Sequence, residues 1–165
     1  MIGMRVLILA LGNELFGDDC AGFLVADELL SKMPKNLKSI DVIKTSESGI
    51  KLLDYFMMDY DYVILIDSII GDRVGEIVMI EPGSPRRAVA PSPHYYGIPE
   101  ILNLLEELNE KIPVVKIYGI TINKPDIGSP VSEGVRSAAR ILAELILAEL
   151  IELLQTHQQA SPGDV

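Results

Sequence analysis

Uninterrupted runs of Val, Ile and Leu alternate along this 165-residue chain with segments whose apolar residues recur every three to four positions. The runs predict strands covered on both faces, and the helical period predicts amphipathic helices packed against them. Strands are expected over residues 4–11, 39–45, 62–67, 75–81 and 113–119, and helices over 20–33, 49–58, 98–110 and 131–154. The run Tyr-Val-Ile-Leu-Ile-Asp ending at Asp67 has no polar alternation, as expected in the middle of a parallel sheet. Residues 155–165 are polar with Pro and Gly, and read as a disordered tail after a single domain over residues 1–154. Neither an internal repeat nor a linker long enough to separate two domains interrupts the pattern.

Strand–helix alternation of this kind predicts a three-layer α/β/α sandwich around a five-stranded, mostly parallel sheet. One connection breaks the rule. Residues 68–74 are too few for the crossover that a parallel neighbour needs, so the fourth strand is expected antiparallel to the third. The fourth strand then ends at the far edge of the sheet. At ~3.3 Å per extended residue, residues 82–97 are long enough to climb back. That path puts His94 on the same rim as the carboxyl ends of strands one and three, where open α/β sheets gather their ligands.

Charge and composition narrow the candidate partners. Lys and Arg total 14 against 24 Asp and Glu, a formal charge of −10, which argues against nucleic acid or an anionic membrane as partner. No apolar run reaches the ~18 residues of a membrane span. The stretch 6–12 has the apolar character of a short signal core, but Asn13, Glu14, Asp18 and Asp19 follow it without a cleavage pattern. One cysteine, Cys20, excludes an internal disulfide and any Cys-rich cluster. With only His94 and His157 as imidazoles, a metal site has to rely on carboxylates. A cytoplasmic location is expected.

Three loops converge on the rim: Gly12-Asn13-Glu14-Leu15-Phe16-Gly17-Asp18-Asp19-Cys20-Ala21-Gly22, Asp67-Ser68, and Ser92-Pro93-His94-Tyr95-Tyr96-Gly97. Taken singly, an Asp before a helix is an ordinary N-cap and a lone His is an ordinary surface residue. One of Asp18 and Asp19 is expected to cap the helix, leaving the other to face the rim. Asp67, behind four apolar residues, is expected to be partly buried and to need a hydrogen bond or a cation. Two carboxylates and an imidazole make an O,O,N set suited to a borderline divalent ion such as zinc or nickel, with coordination positions left open. Standard hydrolase motifs (H-E-x-x-H, G-x-S-x-G) are missing. A nucleotide-binding α/β protein is the less favoured alternative, because G-x-G-x-x-G and G-K-[ST] are absent and the acidic loop repels phosphate.

In these same loops the chain resembles the hydrogenase maturation endopeptidases, through G-N-E-L-F-G-D-D-C-A-G, I-D-S and S-P-H-Y-Y-G in matching order and spacing over roughly residues 4–139. The resemblance implies that Asp19, Asp67 and His94 are the catalytic and metal-contacting residues. It implies removal of a C-terminal extension from the large-subunit precursor of a nickel–iron hydrogenase, beyond the last Cys-x-x-Cys, once nickel is inserted. On that reading nickel arrives with the substrate, and zinc or cadmium could replace it in a crystal. The expected strand order is 2-1-3-5-4. A nickel-binding checkpoint or chaperone that never cuts would use the same residues. Cys20 stands where the family usually has glycine, and reads as a small buried residue. On the terminal helix, Ile141, Leu145 and Ala148 form a second apolar patch that ordinary surface scatter, self-association or docking of the hydrogenase subunit would each explain.

Overall fold

The computed structural model describes residues 3–35, 37–82, 94–95 and 97–160. Strands β1 (Val6–Leu11), β2 (Ile40–Thr45), β3 (Tyr62–Ile70), β4 (Ile77–Ile80) and β5 (Val114–Ile122) form one sheet in the order β2-β1-β3-β5-β4. Helices α1 (Ala21–Lys32), α2 (Leu53–Phe56), α3 (Ile98–Glu107) and α4 (Glu133–Ala160) cover its faces, with 3₁₀ turns at Glu14–Cys20 and Gly49–Leu52. Every residue of β1 is fully buried, because successive side chains enter different cores. Val6 and Ile8 join Val25 and Leu29 of α1 and Leu142 and Ile146 of α4. Leu7, Leu9 and Leu11 join Leu52, Phe56, Ile98 and Ile101 on the opposite face. The expected three-layer architecture follows from this double burial.

Strands β2, β1, β3 and β5 run parallel, and β4 runs antiparallel, paired with β5. The short connection therefore reverses the chain, and β5 lies between β3 and β4, both as expected. Thr121 fixes this arrangement: its Oγ1 accepts the Glu76 N–H at 2.8 Å and donates to the Arg73 carbonyl. Both β3 and β5 run three residues beyond the expected ends, because each supplies the other's ladder as far as Ile70 and Ile122. Asp67 consequently lies inside β3, opposite Gly119, one step past the last β1–β3 pair at Ala10 and Ile66. There β1 parts from β3 while still pairing with β2 at Leu11 and Thr45, at the topological switch point of the sheet.

The helices depart from expectation in two places. Residues 49–58 form a 3₁₀ turn and a four-residue α2 rather than one continuous helix, and Asp59, at φ 61°, turns the chain out of it. Helix α4 runs on to Ala160, past the expected end at residue 154. Polarity does not stop a helix, and residues 155–160 contain no Gly or Pro. The remaining residues, 161–165, lie outside the described part. So does most of the climb from β4 to the rim, residues 83–93, including Arg86 and Arg87. On α4, Leu142, Ile146 and Leu150 are buried while Ile141 and Leu145 are exposed. Among the described residues, no helix is long and apolar enough to cross a membrane.

A polar knot ties α4 to β3 and β5. Glu149 Oε1 accepts from Lys116 Nζ at 2.6 Å and Tyr62 OH at 3.0 Å, and its Oε2 accepts from Tyr118 OH at 2.6 Å. Burial pushes the Glu149 carboxyl up, but the three donors outweigh it and its pKa falls below the usual value. A group with a lowered folded pKa stabilises the fold above its unfolded pKa, and that stability is lost as pH falls through the folded one. Glu149→Gln is therefore expected to lose about 1–2 kcal/mol at neutral pH, with the gap from wild type closing below about pH 4. Urea melts of both proteins across that range check this; a gap that persists at low pH would show that packing, not charge, is responsible.

Candidate functional site

Strand geometry builds the centre of the site. Neighbouring residues on a strand point to opposite faces, so Asp67 follows Val63 and Leu65 into the α3 face and Ser68 turns to the α1 face. Asp67 is fully buried. Its Oδ1 accepts the Ser68 N–H at 2.8 Å and lies 3.3 Å from His94 Nδ1. On the other side, Ser68 Oγ donates to Asp19 Oδ1 at 2.5 Å. One dipeptide thus brings together two residues separated by most of the sheet's connections. Tyr95, buried with Ile98 and Leu105 in the α3-face core, anchors the segment carrying His94, and the His94 carbonyl accepts the Gly49 N–H at 3.3 Å.

Asp19 is positioned by the loop after β1. Its carbonyl accepts the Asn13 N–H at 3.4 Å, and Gly12 N–H reaches the Thr45 carbonyl at 3.3 Å. Gly22 is required where α1 meets the sheet: a Cβ there would stand 2.5 Å from the Leu11 carbonyl oxygen and 2.7 Å from that of Ile66. Asp18, expected as a possible cap for the first helix, instead accepts the Ser132 N–H at 2.6 Å, just ahead of α4. Cys20 at the N-cap offers no side-chain hydrogen bond. Its thiol is buried with Ala10, Phe23 and Ala26, and burial followed by the Asp18 charge pushes its pKa up, which disfavours the reactive thiolate.

The electrostatics of the three groups are coupled. Burial raises the Asp19 pKa, opposed by the Ser68 hydrogen bond and the charge of His94 and reinforced by Asp67. The Asp67 hydrogen bond raises the His94 pKa against the effect of burial. Asp67 Oδ2 is the notable atom: it is buried and has no hydrogen-bond partner among the described residues. A desolvated carboxylate oxygen left in this way is costly and attracts a cation. Among the described residues, no group of three or more His, Cys, Asp and Glu side chains is already arranged to hold a metal ion. Asp19 is turned to Ser68 and His94 to Asp67. What the site offers is an O,O,N donor set held close by, with one oxygen unengaged. Ser68 is the residue that the sequence reading passed over; a hydroxyl directly after the acidic strand residue was its only signal.

Comparison with known proteins identifies the class. A family model described as hydrogenase maturation protease matches residues 25–149, a span that contains Asp67 and His94 and begins after Asp19. A candidate hydrogenase maturation protease of Methanocaldococcus jannaschii is 31% identical over 156 residues, 88% of this chain and 96% of the relative. Protein FrxA of Pyrococcus furiosus is 33% identical over 95 residues, 54% of this chain and 69% of FrxA. The fold superposes on the [NiFe] hydrogenase maturation protease HybD of Thermococcus kodakarensis with a TM-score of 0.69 and 29% identity, covering 88% and 98% of the two chains. The hydrogenase maturating endopeptidase HybD of Escherichia coli, at 22% identity, shares the fold with a TM-score of 0.73 over 90% and 93%. This chain belongs to the hydrogenase maturation protease family, and is a hydrolase of the endopeptidase type.

The unengaged oxygen has a measurable consequence. Asp67→Asn removes a buried charge while keeping an acceptor for the Ser68 N–H, so the variant is expected to melt no lower than wild type. Thermal unfolding of both proteins checks this. A fall of more than roughly 5 °C would show that the carboxylate serves the fold rather than a ligand.

Proposed function

We propose that this chain cuts the C-terminal extension from the large-subunit precursor of a nickel–iron hydrogenase, and that it recognises the nickel already held by that precursor. The single observation that carries the reading is the buried, unengaged Oδ2 of Asp67 beside His94. Nickel enters as part of the substrate, bound by thiolates, and gains oxygen and nitrogen ligands from Asp67, His94 and Asp19. Carboxylates bind borderline ions less selectively than thiolates or imidazoles do, so three such ligands favour an ion that the substrate presents over a free one. The rotation of Asp19 away from Ser68 would accompany binding, and so would release of any proton shared between His94 and Asp67.

With Asp67, His94 and Asp19 holding the ion, it would polarise the scissile carbonyl or lower the pKa of a nearby water. Asp19 is the chosen general base. Its second oxygen is outside the Ser68 hydrogen bond, so it can take a proton from the attacking water. That role corresponds to an aspartic-type endopeptidase acting in the cytoplasm, where a precursor still carrying its extension would be met.

Mass spectrometry of a nickel-loaded precursor incubated with this protein should show a shortened large subunit. The nickel-free precursor should stay intact, and zinc added to the protease should not restore cutting. Asp67→Asn and His94→Ala should each slow cleavage by roughly a hundredfold or more. Cutting of the nickel-free form at a comparable rate would overturn metal recognition, and a nickel-loaded precursor left at full length would favour the non-cleaving checkpoint.

A further inference from the structure

Two exposed apolar side chains stand on loops that are hydrogen-bonded to each other, one of them the loop that carries Asp19. Of the large apolar residues that the described chain exposes, Leu15 and Ile127 are the most exposed, at 69% and 77%. They are far apart in sequence, yet Gly128 N–H donates to the Leu15 carbonyl at 2.9 Å. Neither segment is loosely held. Leu15 N–H donates to Asn13 Oδ1 at 3.0 Å, and Asp18 accepts the Ser132 N–H from the same opposing loop. Gly17, at φ 54°, sits so close to Ser129 that a Cβ there would meet its carbonyl oxygen at 2.7 Å. Two apolar side chains are thus presented to water on backbone tied by hydrogen bonds, an arrangement that lowers the entropic cost of binding.

A cleft of about 390 Å³ opens beside Leu15, lined also by Glu14, Phe23, Lys44 and Thr45. Lys44 is held there by Asp27 at 2.7 Å, with its ammonium 5.8 Å from the centre of the Phe23 ring. The cleft adjoins the loop that carries Asp19: Thr45 accepts the Gly12 N–H, and Asn13, which also lines the cleft, donates to the Asp19 carbonyl. A peptide whose metal-bearing end meets Asp19 and Asp67 can therefore run along this rim without leaving the surface.

We infer that the Leu15–Ile127 lip and its cleft bind an apolar stretch of the precursor flanking the scissile bond, and so act as a specificity site for the cleavage proposed above. The inference rests on that reading. The occupant is the precursor rather than a second copy of this chain because cleft-lining Asn13 is bonded directly to Asp19, where the precursor must be held. Contacts made equally before and during the reaction raise KM when removed and leave kcat alone.

Steady-state cleavage of the nickel-loaded precursor by full-length Leu15→Asp, Ile127→Asp and the double variant tests this. Both side chains are exposed, so the substitutions leave the core untouched; Leu30→Asp on α1, 54% exposed, is the matched control. The double variant is expected to raise KM about tenfold or more with kcat within about twofold, and Leu30→Asp to change neither. Wild-type activity with unchanged KM in the double variant overturns the inference while leaving the proposed cleavage intact. An equal effect of Leu30→Asp, or a wild-type dimer that the double variant converts to monomer in light scattering, also overturns it. Wild-type protein that fails to cut the precursor defeats the parent reading instead.

Discussion

Adjacent residues on a β-strand cannot point the same way, and at Asp67–Ser68 that constraint organises the rim. The carboxylate turns to one face and meets His94 at 3.3 Å, while the hydroxyl turns to the other and holds Asp19 at 2.5 Å. The dipeptide occupies the point where β1 has just left β3 and where Gly119 of β5 adds no side chain. Shifting the register by one residue would exchange the faces and separate all three groups. The sheet pairings on either side of β3 therefore act as positioning elements for chemistry at the rim.

Burying Asp67 carries a cost that the rest of the fold must cover. One of its oxygens has two nearby donors and the other has none among the described residues. The surroundings are suited to bearing this, since β1 and most of β3 are enclosed between two apolar cores. The Glu149 knot fastens α4 to β3 and β5. A well-tied scaffold thus carries an incompletely satisfied carboxylate, a pattern typical of sites that await a ligand.

Much of this was legible in the sequence, for identifiable reasons. Continuous Val/Ile runs mark strands covered on both faces, and β1 is buried along its whole length for that cause. The brevity of residues 68–74 forces a chain reversal, which in turn sends His94 back to the rim. Four apolar residues ahead of Asp67 announced its burial. The rest depended on long-range pairing that local pattern does not carry. Extension of β3 and β5 to Ile70 and Ile122 follows from their mutual ladder. Asp18 reaches Ser132, 114 positions away, instead of capping the nearest helix. Ser68 acquires its role only once the loop carrying Asp19 folds across it. Helix α4 outruns its expected end because the Pro and Gly that mark the tail stand only at 162 and 163, and no breaker intervenes before Ala160.

The account reduces to one claim: a metal ion brought by the substrate gains ligands from Asp19, Asp67 and His94. Nickel K-edge X-ray absorption of the nickel-loaded precursor, recorded alone and then with this protein under conditions too brief for cleavage, tests it most directly. Added oxygen or nitrogen scatterers at roughly 2.0–2.2 Å should appear on mixing with wild type and be diminished with Asp67→Asn. A nickel shell unchanged by a bound wild-type protein would contradict the claim.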